Sequence, residues 1–445
     1  MTHQDYNNII IVGASIAGHT LVNDLYPYLS SEYRILLVDA LDFAFWPIAA
    51  IRAATAPRLP LYSQAVTVPL TDDRVFPAGS QHRVIVPNRL VECKETSVVL
   101  EHPFEGSNEI PFWGCVIATG AKQQAPLVPD LSFTEEEYKQ LLRQYQRDLK
   151  EAKDVVIIGG GTVGIDLAGV HIRCINDKAN ITIVHPRSGL LEPTPFNPIP
   201  ASTTTIPTYS SPPVDPRLSK NLEALCRKLN IELILEDRVV IPKDGEVVGA
   251  GKWEGNYGKQ EGVKVVGLES GKQVKADWVI MAAGTKPNSW MVANKDEGAL
   301  DGKLIRVEEY LKVGSSVLCR TTALMKAGHF DQRQYYAIGD VCSAPGFKAA
   351  RGAGLGGSNA AVNLVAEIKN KSRTKFSPGI IGLGIPVGHY EGAGMATLPW
   401  IGNVMVGGAF IRRVRGDATL IPKRFVTIFK GPNKVHIEFD DVLRK

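Results

Sequence analysis

Gly13 and Gly18, in the stretch NNIIIVGASIAGHTL (7–21), stand where the first and third glycines of a G-x-G-x-x-G turn belong. Ser15 takes the place of the second. That spacing suits the capture of a pyrophosphate on the unpaired N–H groups of a helix start. The first glycine permits a tight turn, and the last lets helix and strand pack closely. Ser15 adds a small side chain beside the phosphate, and its hydroxyl can donate there; Ala17 completes the turn. Asp39 ends the run YRILLVD and is placed to accept hydrogen bonds from ribose hydroxyls. Taken alone, these residues fit a bare strand–helix turn as well as a ligand site.

A second copy changes the balance. DVVIIGGGTVG (154–164) holds the full pattern in Gly159, Gly161 and Gly164, with Thr162 inside it and Asp166 just after. His185 lies as far beyond Gly159 as Asp39 lies beyond Gly13, and Arg187 follows two residues later. No carboxylate stands there, so this site tolerates or attracts a 2′-phosphate, and we expect NADPH to be accepted alongside NADH. Arg187 fits a solvated loop equally well. Two such units imply two nucleotide-binding domains, one for each of two dinucleotides.

Three further turns follow in a matching order. WGCVIATGAK (113–122) ends an apolar strand with Thr119 and Gly120, and WVIMAAGTKPN (278–288) echoes it with Gly284. QYYAIGDVCSAPG (334–346) ends with Gly339 and Asp340, a carboxylate suited to a polyol hydroxyl such as a flavin ribityl chain. SAPGFKAARGAG (343–354) comes next; the flavoprotein resemblance given below implies that it begins a helix whose N-terminus points at reduced-flavin charge, with Lys348 as the main electrostatic residue.

The elements that hold these residues are readable from periodicity. NIIIV (8–12) is an apolar run of a strand buried on both faces. Ile16, Leu21, Leu25 and Leu29 mark a helix after it. Residues 134–153 form an amphipathic linker helix with Tyr138, Leu141, Leu142, Tyr145 and Leu149 inward, and 192–217, rich in Pro, Ser and Thr, form an irregular loop. The expected fold class is α/β: two Rossmann-like dinucleotide-binding domains plus a small C-terminal α+β domain. The expected division is 1–125 with 286–378 for one dinucleotide, 126–285 for the other, and 379–445 as an interface domain; the resemblance below implies FAD for the first and NAD(P)H for the second.

Composition limits the alternatives. With 445 residues, 44% hydrophobic and 22% charged, the chain is a globular protein of two or three domains. Its net charge of +4 balances 50 basic against 46 acidic residues and gives no argument for nucleic acid. The six cysteines form no C-x-x-C, and the nine histidines no H-E-x-x-H, so neither a zinc site nor a local redox disulfide is expected. From the sequence, neither a secretory signal, N-myristoylation nor a membrane-spanning helix is expected. The expected place is therefore cytoplasmic, including the surface of a mitochondrial or other intracellular membrane. Trp400, Met405 and Phe410 beside Arg412, Arg413 and Arg415 suit an anionic membrane surface, a homodimer face or an ordinary domain interface equally.

With these motifs in view, the chain resembles the two-dinucleotide flavoproteins of the pyridine-nucleotide–disulfide oxidoreductase superfamily, whose fold is glutathione-reductase-like. It is most similar to their apoptosis-inducing-factor-like and ferroptosis-suppressor-like branch, and to its fungal members. DALDFAFWPIAAIRA (39–53), ITIVHPRSGLL, VGHYEGAGM and IGNVMVGG carry that likeness. The resemblance implies an NAD(P)H-dependent quinone reductase. It implies that Gly13, Ser15, Gly18, Asp39, Trp46, Arg52, Leu90, Thr119, Gly120, Asp340 and Lys348 line FAD. It implies that Gly159, Gly161, Gly164, Asp166, His185 and Arg187 line NAD(P)H, Asp166 standing where relatives carry Glu. The disulfide-reductase cysteine pair is absent from FWPIAAIRAAT (45–55), so electrons leave the flavin directly to the acceptor. A death-effector-type signalling flavoprotein and a biosynthetic flavin oxidase or monooxygenase share the same fold.

Overall fold

A computed structural model describes residues 6–54, 66–124, 128–172, 176–191, 214–243, 245–314, 329–330, 334–388, 391–398, 400–415 and 428–431. The strand Asn7–Val12 forms the middle of a five-stranded parallel sheet. Tyr33–Val38 and then Arg83–Ile85 lie on one side of it, and Gly114–Ile117 and then Tyr335–Ala337 on the other. Ile9, Ile10 and Ile11 are fully buried, as both faces of such a sheet require.

The second sheet repeats the plan. Asp154–Ile158 is central, between Asn180–His185 and Gln273–Met281, with Ile231–Leu235 outermost on one side. Gly258–Gly267 closes the other edge and runs antiparallel. In each sheet the glycine turn leaves the central strand, where Val12 faces Val38 and Ile117, and Ile158 faces Val184 and Met281. The strand order thus reverses on either side of each turn, the place where open α/β sheets bind ligands.

Two short segments join the sheets. Ala121–Lys122 runs out of the first, Lys286–Pro287 runs back, and the two pair antiparallel. Thr119 Oγ1 donates to the Asn288 carbonyl at 2.8 Å, and Asn288 Nδ2 donates to the Thr119 carbonyl at 2.9 Å. The helix Glu135–Glu151 spans both cores, burying Tyr138 and Leu142 in the first and Leu149 in the second. A Thr134–Glu137 capping box fixes its start.

The strands Ile381–Val387, Glu391–Leu398 and Gly402–Val406 form an antiparallel sheet backed by the helix Gly408–Arg415. Ile385, Val387, Ala393 and Met395 of this sheet join the second core. The end of the described chain does otherwise: Phe429 is buried in the first core. The loop expectation for 192–217 needs trimming. Residues 192–213 lie outside the described set, and Pro216 is the first residue of the helix Pro216–Lys228, with Asp215 capping it through the Arg217 N–H. The proline that read as loop is a helix start.

Candidate active site

The first glycine turn is forced by contact. Gly13 has φ +110°, and a Cβ there would sit 2.3 Å from the Ala118 carbonyl oxygen. A Cβ on Gly18 would sit 1.8 Å from the Gly13 carbonyl oxygen. In the second turn Gly159, at φ +118°, meets Ala282 at 2.9 Å, and Gly164 meets the Gly159 carbonyl oxygen at 2.0 Å. These four glycines set the backbone. Gly161 differs: nothing lies within 4 Å of a Cβ added there. Ser15 holds the matching position of the first turn. Its hydroxyl donates to the Phe45 carbonyl at 3.3 Å, and it stands as N-cap of the helix Ile16–Leu25.

Each turn is held by the side chain that ends the next strand. Asp39 Oδ2 accepts the Ala14 N–H at 2.6 Å, and its Oδ1 accepts the Leu41 N–H at 3.0 Å. His185 Nδ1 accepts the Gly160 N–H at 3.1 Å. The separation along the chain is 25 residues in both. Burial raises the Asp39 carboxyl above its ordinary range, against the lowering pull of the Leu41, Ala14 and Ala40 N–H groups.

Both turns open into one cleft of about 1620 Å³, larger than the roughly 300–1,000 Å³ of a site for one small ligand. Of the predicted residues, Gly13, Ser15, Ala17, Asp39, Leu90, Thr119, Gly120, Gly161, Thr162, Asp166, His185, Gly284, Gly339, Asp340 and Lys348 line it. Gly18, Gly159 and Gly164 lie behind the wall as packing positions. Trp46 is buried against Phe429, with ring centroids 6.0 Å apart. Arg187 is half-buried off the cleft lining, and its carbonyl accepts the Glu236 N–H. Arg52 belongs to the helix Pro47–Ala53, and its side chain lies outside the described residues.

The helix expected after Asp340 runs Ala350–Ile368, and Ala349, Ala350 and Ala353 at its start face the cleft. Lys348 precedes it, half-buried, with Nζ donating to the Ala344 carbonyl at 2.7 Å. Burial lowers the Lys348 ammonium, while the neighbouring Cys342 and Asp340 pull it back up. Burial raises Asp340, and Lys348 opposes that. This helix packs tightly on the first-turn helix, because a Cβ on Gly357 would lie 2.5 Å from the Ala17 carbonyl oxygen.

Sequence reasoning missed a third wall. Leu383, Gly384 and Ile385 reach the cleft from the C-terminal sheet, and Leu131, Trp290 and Met291 add apolar surface. No local motif marks them; the packing of distant segments brings them together. Glu391 pairs with Lys228 at 2.5 Å, and His389 lies outside the described residues. Cys93, Cys115, Cys226 and Cys342 are free and buried, and none is among the cleft-lining residues. Among the described residues no metal-ligand cluster occurs, and no helix is long and apolar enough to cross a membrane. Trp400 and Ile401 are exposed at the turn before Gly402–Val406, and Phe410 is exposed on the following helix. That helix carries Arg412, Arg413 and Arg415, whose side chains lie outside the described set.

A cleft of that size, two phosphate-type turns, and the carboxylates Asp39 and Asp340 at strand ends of the first sheet fit a flavin and a nicotinamide cofactor. Comparison with known proteins agrees. The chain is 25% identical over 440 residues to apoptosis-inducing factor homolog A of Dictyostelium discoideum, covering 95% of this chain and 92% of that one. It is 24% identical over 407 residues to human ferroptosis suppressor protein 1, covering 90% and 91%. Its fold matches the NAD-dependent persulfide reductase of A. fulgidus with a TM-score of 0.59 at 16% identity, over 88% of this chain and 64% of that longer one. It matches a ferredoxin reductase of Rhodopseudomonas palustris with a TM-score of 0.57 at 16% identity, over 88% and 83%. The profile of the pyridine nucleotide-disulphide oxidoreductases matches residues 7–357. The chain belongs to the pyridine nucleotide-disulphide oxidoreductase family and is an oxidoreductase that uses FAD and NAD(P)H.

Proposed function

We propose that FAD lies on the first turn, NAD(P)H on the second, and that the enzyme delivers two electrons to a quinone entering the same cleft. When bound, FAD supplies the relay: it accepts hydride at one time and releases electrons at another. The residues supply placement and charge. Ser15 and the N-terminus of Ile16–Leu25 hold the pyrophosphate, Asp39 the adenosine ribose, and Asp340 a ribityl hydroxyl. Gly161, Thr162 and His185 seat the nicotinamide cofactor, and Asp166 borders its reactive end. Lys348 and the start of Ala350–Ile368 face the negative charge of the reduced ring system.

One observation carries the choice of acceptor. The third wall, Leu131, Trp290, Met291, Leu383 and Ile385, is apolar, and no cysteine is among the described lining residues. A flat, apolar, two-electron acceptor suits such a wall. Anaerobic addition of NADPH or NADH to the purified holoprotein bleaches the flavin band, and a quinone restores it. Rapid oxygen consumption with no quinone turnover would make the protein an oxidase; no bleaching by either nicotinamide would overturn the reading.

A further inference from the structure

His19 lies one turn into the first-turn helix and is fully enclosed. Its Nδ1–H donates to the Ala14 carbonyl oxygen inside the glycine turn. Burial pushes its imidazole down to about 4, so at neutral pH it is an uncharged ring with one fixed donor. The peptide that His19 grips joins Ala14 to Ser15. In a trans peptide the carbonyl and the N–H point in opposite directions. Drawing the Ala14 carbonyl toward His19 therefore turns the Ser15 N–H the other way, to the side where Gly13, Ser15 and Ile16 line the cleft.

The ring of His19 is held in turn by a residue more than 400 positions away. Phe429 meets it edge-on with centroids 4.8 Å apart and an interplanar angle of 68°. Phe429 is anchored on both sides. Asn23 Nδ2 donates to the Ile428 carbonyl at 2.8 Å, and Gly431, at φ +58°, sits where a Cβ would be 2.5 Å from the Arg74 carbonyl oxygen. Trp46 closes the pocket from the helix Pro47–Ala53 side.

We propose that His19 is a positioning residue of the pyrophosphate site, aiming the Ser15 N–H at the phosphate, and that the returning segment 428–431 holds His19 in that pose through Phe429. The inference rests on the assignment of FAD to the first turn. The serine in place of the second glycine gives it a purpose: with Ser15 Oγ bonded to the Phe45 carbonyl, the backbone N–H carries the phosphate contact.

Full-length apoprotein titrated with FAD, alongside NADPH titration and melting of the apoprotein, tests this. His19→Leu raises the FAD dissociation constant about tenfold or more, the scale of one lost charge-assisted hydrogen bond, and leaves the NADPH constant unchanged. His19→Asn, whose amide N–H reaches about as far as Nδ1–H, recovers most of the affinity. Phe429→Ala, which keeps the donor but frees the ring, weakens FAD severalfold, and it carries the test should the leucine variant not fold. Wild-type FAD affinity in both His19→Leu and Phe429→Ala would overturn the proposal. So would an Asn variant no better than Leu, with melting temperature falling equally in both. Wild-type protein that takes up no FAD would instead overturn the assignment of the first turn.

Discussion

His185 and Gly160 are joined by a hydrogen bond of 3.1 Å from backbone N–H to Nδ1. The bond fixes the neutral tautomer, with the proton on Nε2. It is the counterpart of Asp39 accepting the Ala14 N–H at 2.6 Å. One architecture thus closes with a carboxylate in the first turn and with a neutral ring in the second.

From this follows a change of coenzyme preference. His185→Asp keeps an acceptor for Gly160 and adds a negative charge where a 2′-phosphate would lie. The NADPH-to-NADH ratio of kcat/KM falls by about tenfold or more. Steady-state rates with both nicotinamides measure it, and an unchanged ratio would place the 2′-phosphate elsewhere.

Two neighbouring glycines should fail in different ways. Gly164→Ala puts a methyl 2.0 Å from the Gly159 carbonyl oxygen and destabilises the fold by about 1–3 kcal/mol or more. Gly161→Ala meets no atom of the chain within 4 Å, so the melting temperature holds while NAD(P)H affinity drops. Thermal melts beside NADPH titrations separate the two.

This contrast shows what was legible in the sequence. Glycine spacing marks both kinds of glycine alike, the one the backbone forces and the one it leaves free. Gly18 and Gly164 meet carbonyls of their own turns, Gly13 and Gly159 meet Ala118 and Ala282 from strands far along the chain, and Gly161 meets nothing. Asp340 was readable because it follows closely on the strand Tyr335–Ala337, and Lys348 because it stands just ahead of the helix Ala350–Ile368. The apolar wall at Leu383–Ile385 and the docking of Phe429 were not, since they arise where distant segments meet. Trp46, carried over by resemblance, and Arg187, read from its place two residues beyond His185, both stand off the cleft lining.

Ser15→Leu fills the open position of the first turn with a branched side chain. FAD is lost on gel filtration, while NADPH binding and the apoprotein fold persist. A fully flavinylated Ser15→Leu protein would show that the phosphate lies elsewhere.

Lys348→Met removes the cation beside Asp340. The Asp340 carboxyl, already raised by burial, then titrates higher still. The flavin midpoint potential moves to a more negative value, and hydride transfer slows by about tenfold, the helix start retaining part of the stabilisation. Potentiometric titration and stopped-flow reduction check the two effects.

Acid weakens the first domain through two histidines. His19 and His82 are both pushed by burial from 6.5 to about 4, and Arg83 adds to the effect at His82. The unfolded chain binds more protons than the folded one between those values. Their contribution is therefore complete above pH 6.5 and is lost as pH falls toward 4, on the order of 3 kcal/mol for His19. His82 Nδ1 also accepts the Ile35 N–H at 3.1 Å, a bond that protonation abolishes. Denaturant unfolding from pH 7.5 to 4.5 should show the slope, and His82→Asn should flatten it.

The pairing of Ala121–Lys122 with Lys286–Pro287 has a consequence for how such a chain can be taken apart. Everything between those segments leaves and re-enters through one two-stranded neck, whose strands lie about 5 Å apart. A cut at the neck gives a fragment holding the second sheet, with its two ends side by side. The remainder can be rejoined by a tight turn. Backbone continuity thus passes through a single neck, while Tyr138 and Leu142 on one side and Ile385 and Met395 on the other keep the inserted stretch packed on the rest of the chain.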